Sequence, residues 1–236
     1  MAMKALIYKE LKLSMHPICY IFIAAFPLMM LIPSYPLGIG FIYVLSCYPI
    51  LFLGANKGQQ SNDLLYSTLL PVRKKDIVMA RIITVILMQV AFMLIMSALY
   101  PAALAINAEI ARQAEAARAA GQNASDLTVP GLGLNSYVLL LAFAIVGFAI
   151  ADLIFFPIYY KNGKSIVMST LMTILGFVAY IGIFTIGLPY VPGLEGINQL
   201  HIGIQFGCLG AAIGLSFLAH LLVYKISSKR LEQVDF

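Results

Sequence analysis

Asp152 is the one acidic residue inside any of the long apolar runs of this sequence. A charge in hydrocarbon is expensive and by default functional. It stands about two helical turns from the end of its run, near enough to reach water or to pair with Lys161 or Arg81. A structural or gating ion pair, a substrate or proton site, and simple snorkelling are all open from the residues alone. Gly163-Lys164-Ser165 mimics the end of a phosphate-binding loop, but that loop needs a glycine five positions before its second, where Ile158 stands, and a preceding strand. The chain is therefore expected to carry no nucleotide site. His16, His201 and His220 are too far apart to suggest a metal site, and His220 reads as a hydrogen-bonded packing residue. No HExxH, no GxSxG and no paired glutamates occur, so an intramembrane protease is not indicated. Cys19, Cys47 and Cys208 each lie in an apolar run without a partner at ligand spacing and read as small buried hydrophobes.

The elements that must hold these residues follow from composition. Of 236 residues 61% are hydrophobic and 11% charged, with mean hydropathy +0.93. Soluble domains carry about 25% charged residues, so a water-soluble globule is excluded. The net charge of +5 sits in short basic clusters between apolar runs, which is not a nucleic-acid signature. A span needs roughly 20 apolar residues. The sequence offers six, at about Pro17–Ile32, Leu37–Ala55, Ile82–Ala108, Leu134–Tyr160, Ser165–Leu188 and Ile202–Tyr224. All of the 15 basic residues except Arg112 and Arg118 then fall on one side, and the excess of Lys and Arg marks that side as cytoplasmic. The expected fold is all-α, a polytopic membrane protein of six transmembrane helices with both termini cytoplasmic. No secretory signal is evident, and no internal repeat of the kind that builds many secondary transporters.

Between the spans lie three segments of interest. Residues 1–16 place Met3, Leu6, Ile7 and Leu11 on one helical face beside Lys4, Lys9 and Lys12, which suits an amphipathic interfacial helix or a charged flank that sets topology. Residues 56–76 form a cytoplasmic loop in which Ser61, Asn62 and Asp63 are good N-caps. Leu64, Leu65, Thr68 and Leu69 follow at helical spacing until Pro71 stops the turn, so a short helix presents an apolar face to a partner. Residues 107–133 form the outer loop, whose Glu109, Arg112, Glu115 and Arg118 support a helix extending the third span; an outer gate and a plain hairpin fit equally. Gly203, Gly207, Gly210 and Gly214 share one face of the last span and allow close helix approach, with packing inside the subunit favoured over a dimer contact.

The run Leu64-Leu65-Tyr66-Ser67-Thr68-Leu69-Leu70-Pro71-Val72-Arg73-Lys74-Lys75-Asp76-Ile77-Val78-Met79-Ala80-Arg81 resembles the signature of ABC-2 type permeases, the membrane subunits of ATP-driven transporters, in its small bacterial six-span members. Phe156 to Lys164 is similar to a second loop of that family, with Tyr160, Lys161, Gly163 and Lys164 at its motif positions. Asn56 and Lys57 stand where family members often carry an acidic pair. The resemblance implies that Asp63 caps a coupling helix, that Leu64, Leu65, Tyr66 and Leu69 meet a separate ATPase subunit, and that Pro71, Arg73, Lys74 and Lys75 orient it. It further implies a pair of permease subunits (homodimer or heterodimer) with two copies of the ATPase. No cofactor would be held in this chain, ATP and Mg being bound by the partner, and the assembly would lie in the bacterial cell membrane. The resemblance implies export, and the nearly charge-free spans favour a hydrophobic or amphipathic cargo such as a lipid, drug or peptide. The alternatives are an ion-coupled carrier using Asp152 and a membrane sensor or anchor without transport.

Overall fold

The computed structural model describes residues 2–15, 17–32, 67, 69–120, 134–162, 166–183 and 201–233. Among them 94% are helical and no strand occurs. The order is α1 (Ala2–Lys9), a π-helical turn (Glu10–Ser14), α2 (Pro17–Leu28) with a 3-10 turn (Met29–Leu31), α3 (Lys74–Ala119), α4 (Leu134–Asn162), α5 (Ile166–Gly182) and α6 (Ile202–Glu232). In a bilayer every backbone polar group must be satisfied within its own segment or an adjoining one, which leaves helices as the solution for such apolar runs.

Three helices, α3, α4 and α6, are long and apolar enough to cross a membrane, and a fourth span results if the bent pair Met3–Lys12 and Pro17–Leu31 is counted as one. The bend there is 78°: Pro17 opens the second helix, since it lacks the N–H an uninterrupted helix needs, and Met15 is extended. α5 is apolar but has 17 residues, about 26 Å of rise. The second expected span, Leu37–Ala55, lies outside the described residues, as does most of residues 56–68. α3 begins at Lys74, eight residues before the expected span, because Asp76 in its first turn complements the helix dipole and Ile77, Val78 and Ala80 are already buried. It also runs past the expected end into the charged segment, where Arg112 pairs with Glu109 and Gln113 donates to Glu109.

α4 is the centre of the bundle. It packs most extensively on α6 and next on α5; α3 packs on α6, α2 and α1. Along α4 the rings of Phe155 and Tyr159 stack at 5.7 Å and those of Phe156 and Tyr160 at 6.2 Å, the spacing of residues one turn apart. Gly147 lets α5 approach: a Cβ there would lie 2.8 Å from Phe177 and 3.1 Å from Tyr180. Tyr180 then stacks on Phe143 at 4.6 Å and donates its hydroxyl to the Phe143 carbonyl at 2.9 Å. At the other end of α4, Tyr137 stacks on Tyr100 of α3 at 4.1 Å and donates to Ser97 at 2.8 Å. A buried hydroxyl needs such an acceptor.

Candidate functional site

Two polar constellations interrupt this apolar bundle. The first sits where α1, α3 and α4 meet at the end of the bundle rich in basic residues. Glu10 opens the π-helical turn, whose wider backbone closes with Met15 N–H donating to the Glu10 carbonyl at 3.0 Å. Its carboxylate accepts two bonds from Arg81, from Nε at 2.8 Å and from Nη2 at 3.1 Å. The third guanidinium nitrogen donates to the Tyr159 hydroxyl at 3.2 Å. The Arg81 side chain is 4% exposed and that of Glu10 6%. A forked guanidinium matches a carboxylate in two parallel bonds, so this cluster fixes the N-terminal helix to α3 and α4 together. Leu6 and Met15 are buried on the same segment, and Tyr20 donates to the Leu11 carbonyl across the bend.

Lys9, next to Glu10 and 3.4 Å from its carboxylate, donates to Ser67. Ser67 is fully buried and lies in the segment that the resemblance singles out. Of that segment's residues, Asp63, Leu64, Leu65 and Tyr66 lie outside the described residues. Leu69 is 71% exposed and Pro71 is exposed. Arg73, the N-cap of α3, donates to both oxygens of Asp76 at 3.0 and 3.2 Å, which raises its guanidinium pKa through the hydrogen bond first and the carboxylate charge second. Lys74 is half-buried. Lys75 lies 3.5 Å from Glu232 at the end of α6, so α3 and α6 meet at this same end. In the second loop, Tyr160 is fully buried in the α4 aromatic stack, Lys161 is exposed, and Gly163 and Lys164 lie outside the described residues.

The second constellation lies deeper. Asp152 neither reaches water nor pairs with Lys161 or Arg81, the partners expected from sequence. Its side chain is 1% exposed. Its Oδ2 accepts from Gln89 Nε2 of α3 at 2.8 Å and lies 2.9 Å from His220 Nε2 of α6. Arg81 is committed instead to Glu10 and Tyr159. His220 Nδ1 lies 2.6 Å from the Ser216 carbonyl, one turn back on α6. Three helices thus each send one polar side chain to a single point, which is how a buried charge is compensated in a medium that offers no water. Among the described residues no group of three metal-ligating side chains forms. The glycine face of α6 has no described neighbour. Gly207, Gly210 and Gly214 have nothing within 4 Å of where a Cβ would stand, so no described helix of this chain packs there.

Residues 5–115 match the sequence profile of a family described as ABC-2 family transporter protein. The match supports an ABC-2 type permease. No curated protein and no solved structure is significantly similar to the chain. Permeases of this family are in general non-enzymatic membrane subunits that associate with an ABC ATPase, and the apolar helices agree with a multi-pass membrane protein. The matched stretch holds Glu10, Arg81 and Gln89, together with the segment from Asp63 to Lys75; Asp152, Tyr159 and His220 lie beyond it. Sequence reading passed over Glu10, Gln89 and Tyr159, and offered Arg81 only as a partner of Asp152 and as the end of the family-like run. Two faint signals were present: Glu10 is the lone acid among the first basic residues, and Gln89 the lone amide between Ile82 and Ser97.

Proposed function

We propose that this chain is the membrane-spanning subunit of an ATP-driven exporter of hydrophobic or amphipathic cargo, with six spans and its basic ends in the bacterial cytoplasm. A separate ATPase subunit seats on the coupling helix around Asp63 to Leu70. Two such permeases with two ATPase subunits complete the transporter. The observation that carries the reading is the family match across residues 5–115, which takes in both the interfacial helix and the coupling loop.

The basic-end geometry gives the reading a physical route. Closure of an ATPase does work on a permease only if a fixed element turns it into a shift between two packed states. Lys9 contacts Ser67 of the coupling segment, and its neighbour Glu10 grips Arg81 of α3, which in turn bonds Tyr159 of α4. A push on the segment before Pro71 therefore reaches two membrane helices through polar contacts. Leu69 is exposed and free to meet a partner surface.

The test is purification of the tagged chain from its native host in mild detergent, with an assay for a co-purifying ATPase. An ATPase present with the wild type and lost with Leu65→Asp/Leu69→Asp is the expected outcome. Retention of the full-length, monodisperse permease without any ATPase, across several detergents, refutes the assignment.

A further inference from the structure

We propose that the corner between α1 and α2 holds an anionic phospholipid, its phosphate on Lys4, Tyr8 and Lys12 and its acyl chain along Tyr20, Ile21 and Leu28. The site rests on α2 entering a bilayer, as in the function proposed above, and needs no ATPase partner. The two faces of the N-terminal segment have different neighbours. Inward, Leu6 is buried and Glu10 is bound to Arg81, so this side is turned to the protein rather than to lipid. Outward, Lys4, Tyr8 and Lys12 follow at intervals of four residues and all are exposed, each about 6 Å of helix from the next. Lys12 Nζ donates to the Tyr8 hydroxyl at 2.9 Å and stands 5.4 Å from the centre of its ring, a cation–π placement. The two side chains are thereby held together on the outer face.

The charge on that face is of one sign. Glu10 is the one acidic residue before Asp63 and it is buried on the opposite face, while Lys9 is turned toward Ser67. An ammonium carries three hydrogens, and a phenol can donate as well as accept. With one Lys12 hydrogen on Tyr8, the Tyr8 O–H is left to donate outward. Two ammonium groups and a phenol make a set of donors for phosphate oxygens. A zwitterionic lipid brings the same phosphate but also sets a second cation against Lys4 and Lys12, so the site favours a headgroup with net negative charge.

α2 supplies the other half. It carries no charged residue from Pro17 to Leu28. Its exposed Tyr20, Ile21 and Leu28 lie on one side of the helix, with Cys19 and Ile23 buried on the other. Two observations bring this apolar strip and the basic strip together. The helices are bent against each other by 78°, and the Tyr20 hydroxyl donates to the carbonyl of Leu11, the residue before Lys12. The exposed Tyr20 ring therefore opens the apolar strip where the basic strip ends. A phospholipid has the matching shape, an anion in the plane of the membrane surface and a chain that leaves it along the normal. Lipid on one face and the Glu10–Arg81 pair on the other then hold α1 from both sides.

Native mass spectrometry of the full chain tests this, after purification in mild detergent with equal amounts of phosphatidylglycerol and phosphatidylcholine of the same acyl length. The wild type should retain phosphatidylglycerol in preference. That preference should fall about tenfold in Lys4→Gln/Lys12→Gln and survive in Lys4→Arg/Lys12→Arg. Ile21→Asp, which puts a charge on the apolar strip, should lower retention of both lipids. Lys225→Gln/Lys229→Gln removes two exposed lysines from the end of α6 and should keep the preference. An equal fall in that variant assigns the effect to general surface charge and overturns the proposal. Displacement of the lipid by millimolar inorganic phosphate, which has no chain, reduces the corner to a bare anion site and also overturns it. Equal retention of the two lipids by the wild type overturns it with no variant needed, so a variant that fails to fold cannot rescue the idea.

Discussion

Replacing Arg81 by Met removes a guanidinium that is 4% exposed and takes from the Glu10 carboxylate, 6% exposed, its two short hydrogen bonds, leaving Lys9 at 3.4 Å. Breaking a buried pair from one side costs about 3–5 kcal/mol, because the remaining charge must be buried alone or must drag water in. Glu10→Leu does the reverse and takes from Arg81 the carboxylate that accepts two of its hydrogen bonds. The double variant removes both charges of the pair and takes a carboxylate only from the more exposed Lys9. Exchange of a whole buried pair for apolar residues is often close to neutral or stabilising, so the two single losses should fail to add by at least about 3 kcal/mol. Tyr159→Phe, which removes one long bond of 3.2 Å and strands no charge, should cost about 1 kcal/mol. The assay is denaturant unfolding of the purified chain in bicelles, followed by helicity, with the four variants compared as a cycle. A local readout accompanies it: the single variants should expose Lys4, Lys9 and Lys12 to trypsin, and the double variant much less so. Additive losses, or single losses below about 1 kcal/mol, would refute the claim that this pair holds the N-terminal helix in place.

Gly147→Ala should lower stability by about 1–3 kcal/mol, since the new methyl overpacks the Phe177 ring; a melting temperature equal to wild type would contradict the close α4–α5 approach. Gly210→Ala, built into open space, should leave the melting temperature unchanged or raised, alanine being the better helix former by about 1 kcal/mol. Glu232→Gln removes an ion pair whose side chains are 52% and 48% exposed, and screening by water should keep the effect below about 0.5 kcal/mol. For the proposed topology, Arg112→Cys should react with an impermeant thiol reagent added to intact cells, and Lys161→Cys only after the membrane is opened; the opposite pattern would invert the orientation.

The helices were legible because hydropathy is a local property: the apolar runs from Pro17, Leu134 and Ile202 begin where α2, α4 and α6 begin. The start of α3 was less so. Lys74 to Arg81 looks polar along the chain, yet its apolar residues turn inward and its charges find partners elsewhere. What the sequence could not display was pairing across distance. Glu10 and Arg81 are 71 residues apart, Asp152 and His220 68, and nothing in local spacing joins them. Lys161 and Arg81 are the partners the sequence offers Asp152, whereas helix packing brings Gln89 of α3 and His220 of α6 to it. The glycine face of α6 shows the same limit. Spacing identified a face that admits close approach but not what, within this chain, would stand against it.

α3 has 46 residues, roughly 69 Å of helix at 1.5 Å per residue, against roughly 30 Å of hydrocarbon. More than half of it must stand clear of the lipid, and past Ala103 its side chains are exposed or half-buried apart from Ala114. The rod is held at Arg81 and again at Tyr100, which stacks on Tyr137 of α4, and the 19 residues from there to Ala119 make an arm of roughly 28 Å. A tilt of about 10° about Tyr100 moves the tip of that arm by roughly 5 Å.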